Sequence, residues 1–127
     1  MQILLDTNFV ITTTKQKINI QEKINKATSE PIEWIIPQDV LNELGNIKDR
    51  KETSPKDRAA AELTFQIIQD LKPTVVELKG KNPNVDIKIV NYILDKPIIL
   101  ATLDKNLKSR VKNKILTIRG KKNLEIT

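Results

Sequence analysis

Short apolar runs alternate along the chain with longer stretches in which apolar residues recur at helical spacing. Several runs are apolar at nearly every position, which is typical of β-strands covered on both faces. Five runs predict strands: 2–5, 33–36, 74–78, 98–101 and 115–118. Five stretches predict helices: 19–28, 38–47, 55–72, 84–94 and 104–112. Strands that alternate with helices favour an α/β fold built on a parallel sheet.

The helix predicted over 55–72 has the clearest start signal. Ser54 precedes Pro55, and Asp57 follows at the third helical position, so Ser54 is placed to cap the helix. The chain shows no internal repeat and no low-complexity tract. We therefore expect residues 1–127 to form a single domain.

The composition restricts the chemistry that the protein can perform. The 127 residues include no Cys and no His. This excludes disulfides and Cys nucleophiles, and it removes the usual zinc ligands and the commonest general base. A catalytic metal would depend on carboxylates, which indicates a hard ion such as Mg²⁺ or Mn²⁺. No apolar run approaches the roughly 18–20 residues of a membrane span, and we expect a cytoplasmic protein.

Positive charge is concentrated toward the end of the chain. The net charge is +6, and the segment 105–122 carries eight basic residues and no acidic one. These are Lys105, Lys108, Arg110, Lys112, Lys114, Arg119, Lys121 and Lys122. Such a block suits a surface that binds phosphates, or equally a solvated surface that keeps the protein soluble. With only four aromatic residues in the chain, base stacking has little support.

Acidic residues recur where the predicted strands pass into helices. Four share this placement: Asp6 after the first strand, Glu43 in the helix after the second, Asp86 at the start of the next helix, and Asp104 after the fourth strand. In a parallel sheet these crossings meet at one rim, where the sites of such folds lie. Carboxylates gathered there would repel one another unless a cation offsets their charge. The pattern therefore predicts a divalent-metal site.

Each acid could also have a purely structural role. Asp6 and Asp104 precede helices and would serve as N-caps, while the other two suit a first helical turn and an exposed helix face. Asp39 lies one turn before Glu43, so either could face the site. Asp6 is the strongest candidate because Thr7 and Asn8 beside it offer further oxygen ligands or hydrogen bonds.

Segments spread over nearly the whole chain resemble the successive motifs of PIN-domain nucleases: ILLDTNFVI, IPQDVLNEL, NVDIKIVNYI, ILATLDKNLKSRVKN and ILTIRGKKNL. The resemblance implies an α/β/α sandwich around a parallel sheet of about five strands, and Mg²⁺- or Mn²⁺-dependent hydrolysis of RNA. By position it assigns the family's four acids to Asp6, Glu43, Asp86 and Asp104, and its polar accessory position to Asn8. We expect Thr7 and Thr102 to be further accessory residues. The basic block would hold RNA through Lys105, Lys108, Arg110, Lys112, Arg119, Lys121 and Lys122.

The last motifs look most like archaeal PIN proteins related to the endonucleases that process small-subunit ribosomal RNA. They look less like VapC-type toxins, which share the fold and remain an alternative. Two positions depart from the family pattern: Ile87 replaces a second acid, and Leu103 replaces an Asn. These departures favour another alternative, an RNA-binding ribosome-assembly factor with an inactive acidic site. Since relatives often dimerise, a homodimer is an alternative to a monomer.

A phosphatase of the haloacid dehalogenase type is a weaker alternative. That chemistry needs an Asp two residues after the first Asp, and here Asn8 stands in that place. A phosphate-binding loop would need clustered glycines after a strand, whereas Gly45, Gly80 and Gly120 are isolated.

Overall fold

A computed structural model describes all 127 residues, and its centre is a six-stranded sheet. The strands are β1 (Gln2–Leu5), β2 (Glu33–Pro37), β3 (Thr74–Val76), β4 (Ile98–Ala101), β5 (Ile115–Arg119) and β6 (Asn123–Ile126). Their order across the sheet is β3-β2-β1-β4-β5-β6. The first five strands run parallel, and β6 pairs antiparallel with β5. The sheet therefore has one carboxyl rim, at which β1 and β4 end side by side.

Six helices cover the two faces of the sheet. They are α1 (Thr7–Lys15), α2 (Ile20–Ala27), α3 (Gln38–Asp49), α4 (Pro55–Leu71), α5 (Val85–Ile93) and α6 (Lys105–Ser109). Alternate β1 residues point into two separate apolar clusters, with Ile3 and Leu5 in one and Leu4 in the other. The larger cluster takes side chains from α1, α2, α3 and α4, and the smaller takes them from α5 and α6. The predicted layers of helix, sheet and helix are thus present.

All predicted elements form within three residues of their expected bounds, and the structure adds two elements, α1 and β6. The strand predicted over 74–78 ends at Val76, and the helix predicted over 104–112 ends at Ser109. The sheet has a sixth strand, β6, because the turn around Gly120 (φ 63°) reverses the chain and lets 123–126 pair with β5. The sequence pattern predicts no bounds for α1, whose sequence TNFVITTTK is rich in β-branched residues that favour strands.

Two threonine side chains of α1 find hydrogen-bond partners inside the protein. Thr13 and Thr14 both donate their hydroxyl hydrogens to the Val10 carbonyl, at 2.9 and 2.8 Å. Thr14 also accepts a hydrogen bond from Thr64 of α4 at 2.9 Å, so these hydroxyls are satisfied inside the protein.

No helix in the structure is both long enough and apolar enough to cross a bilayer.

Candidate active site

Asp6 lies at the carboxyl rim, directly after β1, and is 7% exposed. Its backbone N–H donates to the Ala101 carbonyl at 3.0 Å, so the ends of β1 and β4 are tied together. Its carboxylate accepts two hydrogen bonds, from the Thr7 N–H at 2.9 Å and from the Thr102 hydroxyl at 2.7 Å. The first is the capping bond of α1 that the sequence predicts. Asp6 is thus both a helix cap and a carboxylate held in place at the rim.

Thr7 connects Asp6 to the next acidic residue. Its hydroxyl donates to Glu43 Oε2 at 3.0 Å, which joins the first turn of α1 to the middle of α3. Glu43 is otherwise exposed. Asp39, the competing acid on α3, is paired instead with Lys88 at 2.6 Å. Of the two acids, Glu43 is the one bonded to a residue beside Asp6.

Asn8 fixes the loop that carries the fourth acid. Its side-chain oxygen accepts the Leu103 N–H at 3.1 Å and lies 3.4 Å from the Thr102 hydroxyl. The Thr102 hydroxyl in turn accepts the Asp104 N–H at 3.2 Å. Asn8 and Thr102 therefore hold the β4–α6 loop against the first turn of α1.

Asp104 and Asp86 stand at the starts of α6 and α5. One oxygen of Asp104 caps α6, accepting N–H groups of Asn106 at 2.9 Å and Leu107 at 3.3 Å. Asp86 lies in the first turn of α5, which is capped by Asn84, so the Asp86 carboxylate is not needed as a cap. The expected N-cap role of Asp104 is confirmed. Because only Oδ1 makes the capping bonds, Oδ2 of Asp104 has no hydrogen bond.

The charges of these acids affect one another. Burial raises the pKa of Asp6 from its usual 3.8 to about 6, and the charges of Asp86 and Glu43 add to the increase, against the hydrogen bonds from Thr102 and Thr7. The pKa of Asp86 is raised by partial burial and then by the charge of Asp104, while Arg110 lowers it. The negative charges of Asp86 and Glu43 thus act on Asp6, and that of Asp104 acts on Asp86.

Comparison with known protein families gives a match over most of the chain. Residues 3–121 match the family described as "PIN like domain". The chain belongs to the PIN-like domain family. It is also similar to a ribonuclease, VapC4 of Methanocaldococcus jannaschii, with 30% identity over 129 residues that span 98% of this chain and 95% of the relative.

Solved structures show the same fold. The PIN domain endonuclease Utp24 superposes with a TM-score of 0.78 at 22% identity, over 98% of this chain and 90% of that one. The VapBC2 complex of Rickettsia felis, solved with a DNA fragment from its promoter, contains a chain with a TM-score of 0.64 at 12% identity, over 92% of this chain and 98% of that one. The α/β/α prediction is confirmed, with a sheet that is mainly rather than wholly parallel.

The ligands that this PIN-like domain offers a metal are all oxygen atoms. No three of its acidic side chains are already gathered into a metal-binding group. The rim nevertheless holds a buried carboxylate, its acidic neighbours, and the hydroxyl and amide oxygens of Thr7 and Asn8. Oxygen donors of this kind suit Mg²⁺ or Mn²⁺ and do not suit soft ions. The chemistry of the donor set thus fits a hard divalent cation.

The basic block divides between the two ends of the sheet. Because β5 pairs Leu116 with Ala101 at the end of β4, its residues 117–119 extend past the end of β4 on the carboxyl side, and the turn with Lys121 and Lys122 follows. Lys112 lies at the other end, since the neighbouring Asn113 side chain contacts the backbone carbonyls of residues 93, 96 and 98 at 2.8–3.1 Å. The block is therefore not one continuous face.

Some basic residues of the block already have partners. Arg119 pairs with Glu125 at 3.2 Å, and Lys108 donates to the Thr117 hydroxyl at 3.3 Å. One further basic residue near the rim, Lys88, is missed by reasoning from the sequence. Its only sequence signal is a Lys in the first turns of a helix, where the dipole disfavours a cation unless an acid lies nearby.

Proposed function

We propose that the protein is a metal-dependent endoribonuclease whose site is the acidic rim. The observation that carries this proposal is the buried carboxylate of Asp6, held by two hydrogen bonds beside other acids in a PIN-like domain. An ionised carboxylate with a raised pKa is costly to keep unless it binds a cation. The similar VapC4 protein is named a ribonuclease, and Utp24 is named an endonuclease, which supports the same reaction class here.

In this proposal Asp6, Asp86 and Asp104 hold Mg²⁺ or Mn²⁺, and Glu43 acts directly or through water. The ion would lower the pKa of a water molecule and offset the charge that develops on the phosphate as water breaks its P–O bond. Thr7 and Thr102 keep the carboxylates of Glu43 and Asp6 in place through their hydroxyls. The chain contains no His or Cys, so any proton taken from water would pass to a carboxylate or to solvent.

We further propose that RNA is held by the basic residues near the carboxyl rim: Lys105, Lys108, Arg110, Arg119, Lys121 and Lys122. The turn with Lys121 and Lys122 extends beyond the strand that leads to Asp104, and both lysines are exposed. Lysines bind phosphates without reading sequence, and their contribution falls as salt rises. Lys112, at the opposite end of the sheet, is not on this path. The resemblance to rRNA-processing endonucleases makes structured ribosomal RNA the first substrate to test.

A second candidate is an RNA-binding assembly factor without nuclease activity. The observation that favours it is Leu103, whose side chain packs on the larger apolar cluster where the family places a polar residue. Only the backbone N–H of this residue contacts the site, through Asn8. This candidate predicts salt-dependent RNA binding and no metal-dependent cleavage.

The deciding experiment uses end-labelled structured RNA with Mn²⁺, with Mg²⁺ and with EDTA. The wild-type protein is compared with Asp6→Asn and with Asp95→Asn, a matched change at an exposed Asp before the amino end of β4. We expect metal-dependent fragments from the wild type and from Asp95→Asn, and none from Asp6→Asn. Cleavage that survives in Asp6→Asn would contradict the assignment, and binding without cleavage in all lanes would favour the assembly factor.

The RNA path has its own control within the basic block. Changing Lys121 and Lys122 together to Gln should weaken RNA binding in EDTA. The plot of log affinity against log salt concentration should also become less steep, by about two units of slope for two lost phosphate contacts. The same double change at Lys112 and Lys114 removes equal charge at the other end of the sheet and should have a smaller effect. Equal losses in the two double variants would mean that only net charge matters.

A further inference from the structure

One ion pair joins the two helical layers across the carboxyl rim. Lys88 Nζ lies 2.6 Å from Asp39 Oδ2, and the two side chains are only 14% and 23% exposed. In each of the other three ion pairs both side chains are at least 37% exposed. The Asp39–Lys88 pair is thus the only one largely removed from water. Deleting one partner of such a pair destabilises a protein more than deleting one partner of an exposed pair, because the remaining charge is left buried and unpaired.

The pair connects helices that otherwise belong to opposite faces of the sheet. Val40 and Leu44 of α3 pack in the larger apolar cluster, whereas Ile89 and Ile93 of α5 pack in the smaller one. The ion pair is the only hydrogen bond or salt bridge between α3 and α5. Each helix packs in its own core, so this contact is the direct polar link between the two helices at the rim.

Each of these helices carries one of the proposed metal ligands. Asp39 lies one turn before Glu43 on α3, and Lys88 lies two residues after Asp86 on α5. The loop before α5, residues 77–84, is exposed except for Leu78, which packs in the smaller apolar cluster with α5, so it locates Asp86 relative to that layer and not relative to α3. Mg²⁺ and Mn²⁺ sites require ligand oxygens at closely defined separations. The contact between the helices therefore bears on the separation of Glu43 and Asp86.

We infer that the Asp39–Lys88 ion pair is a strut that sets the separation of the metal-binding carboxylates on α3 and α5. In this role Asp39 and Lys88 are positioning residues, and Asp39 is not a ligand because its carboxylate is engaged by Lys88. The inference rests on the proposed function, since it assumes that Glu43 and Asp86 share a metal site. It gives Lys88 a role at the rim, although this residue follows no strand end and matches no motif position.

The test measures Mn²⁺ affinity by calorimetry on metal-free protein at pH 7.5, with circular dichroism to confirm folding. Lys88→Met keeps the aliphatic part of the side chain and removes the charge, and Asp39→Asn removes the opposite charge. A strut predicts weaker Mn²⁺ binding in both, by about 10-fold or more, as for other residues that orient metal ligands. Lys88→Arg, which can keep the pair, should retain most of the affinity. Lys15→Met, which breaks the exposed pair with Asp57, should leave it unchanged.

The signs of the two effects distinguish a strut from a simple charge effect and from a direct ligand. If local charge alone mattered, losing the Lys88 cation would tighten Mn²⁺ binding and losing the Asp39 anion would weaken it. If Asp39 were itself a ligand, only Asp39→Asn would weaken binding. Mn²⁺ binding by Lys88→Met as tight as that of the wild type would overturn the strut and leave the proposed function intact. A wild-type protein that binds no Mn²⁺ would overturn both. Should Lys88→Met not fold, the double variant Asp39→Asn/Lys88→Met, which leaves neither charge unpaired, must bind Mn²⁺ more weakly than the wild type, and wild-type affinity in it would overturn the strut.

Discussion

Replacing Asp6 by Asn should stabilise the metal-free protein at neutral pH while it abolishes nuclease activity. The reason is the environment of the carboxylate: burial and the charges of Asp86 and Glu43 raise the pKa of Asp6 from the usual 3.8 to about 6. A carboxyl group whose pKa is higher in the folded state favours folding only in its protonated form. Its contribution is complete below about pH 4 and is lost as the pH rises through about 6.

The size of the effect follows from the shift. Two pKa units correspond to about 3 kcal/mol of folding free energy at neutral pH. Asn keeps the oxygen that accepts the Thr7 N–H, but its amide must donate to Thr102 Oγ1, so the Thr102 hydroxyl has to turn toward Asn8. That exchange costs about 1 kcal/mol. We therefore expect Asp6→Asn to be about 2 kcal/mol more stable than the wild type at pH 7.5, and slightly less stable at pH 4.

The assay is urea unfolding of both proteins in EDTA at several pH values between 4 and 7.5. The difference between the two curves reports on Asp6 and its charge coupling to Asp86 and Glu43, because all other carboxyl groups titrate alike in both proteins. Adding Mn²⁺ should reverse the order at pH 7.5, since a ligand at 100 times its Kd stabilises the protein that binds it by about 2.7 kcal/mol. A difference in stability that stays constant from pH 4 to pH 7.5 would refute the reasoning, because Asp6 would then ionise without cost.

Three further predictions concern the scaffold. Asn113→Ala removes an amide that contacts three backbone carbonyls, so it should lower the free energy of unfolding by about 1–3 kcal/mol and leave RNA cleavage unchanged at temperatures where the variant is folded. Ser54→Ala should cost about 1 kcal/mol in urea unfolding through loss of the cap on α4, and a neutral result would show that this helix end frays. Lys72→Gly should raise stability by about 0.5–1 kcal/mol, because Lys72 ends α4 at φ 52°; a lower melting temperature would show that its side chain matters more than its backbone strain.

The parts of the fold that the sequence predicts are those in which local pattern and burial agree. The strands β1, β2 and β4 are nearly continuous apolar runs because both of their faces are covered, and the pattern locates each of them. The strand β6 has only one buried apolar residue, Leu124, and it forms because β5 offers it an edge. Its pairing therefore depends on a partner strand rather than on a local signal. The helix α1 gives no clear helical pattern because its sequence is rich in β-branched residues, and its conformation depends on the burial of Phe9 and Val10 in the larger apolar cluster.

The same distinction applies to the candidate site. A sequence can show which acids follow which strands, because the parallel topology brings strand ends to one rim, and this reasoning identifies Asp6 and Asp104. It cannot show which of two acids on one helix turn faces a neighbour, since that depends on a side chain from another layer. Here Lys88, 49 residues away from Asp39, engages that acid and leaves Glu43 to bond with Thr7. The placement of acids at the rim follows from topology, whereas their individual roles follow from single contacts between layers, and those contacts are what the metal-binding measurements on Lys88 and Asp39 examine.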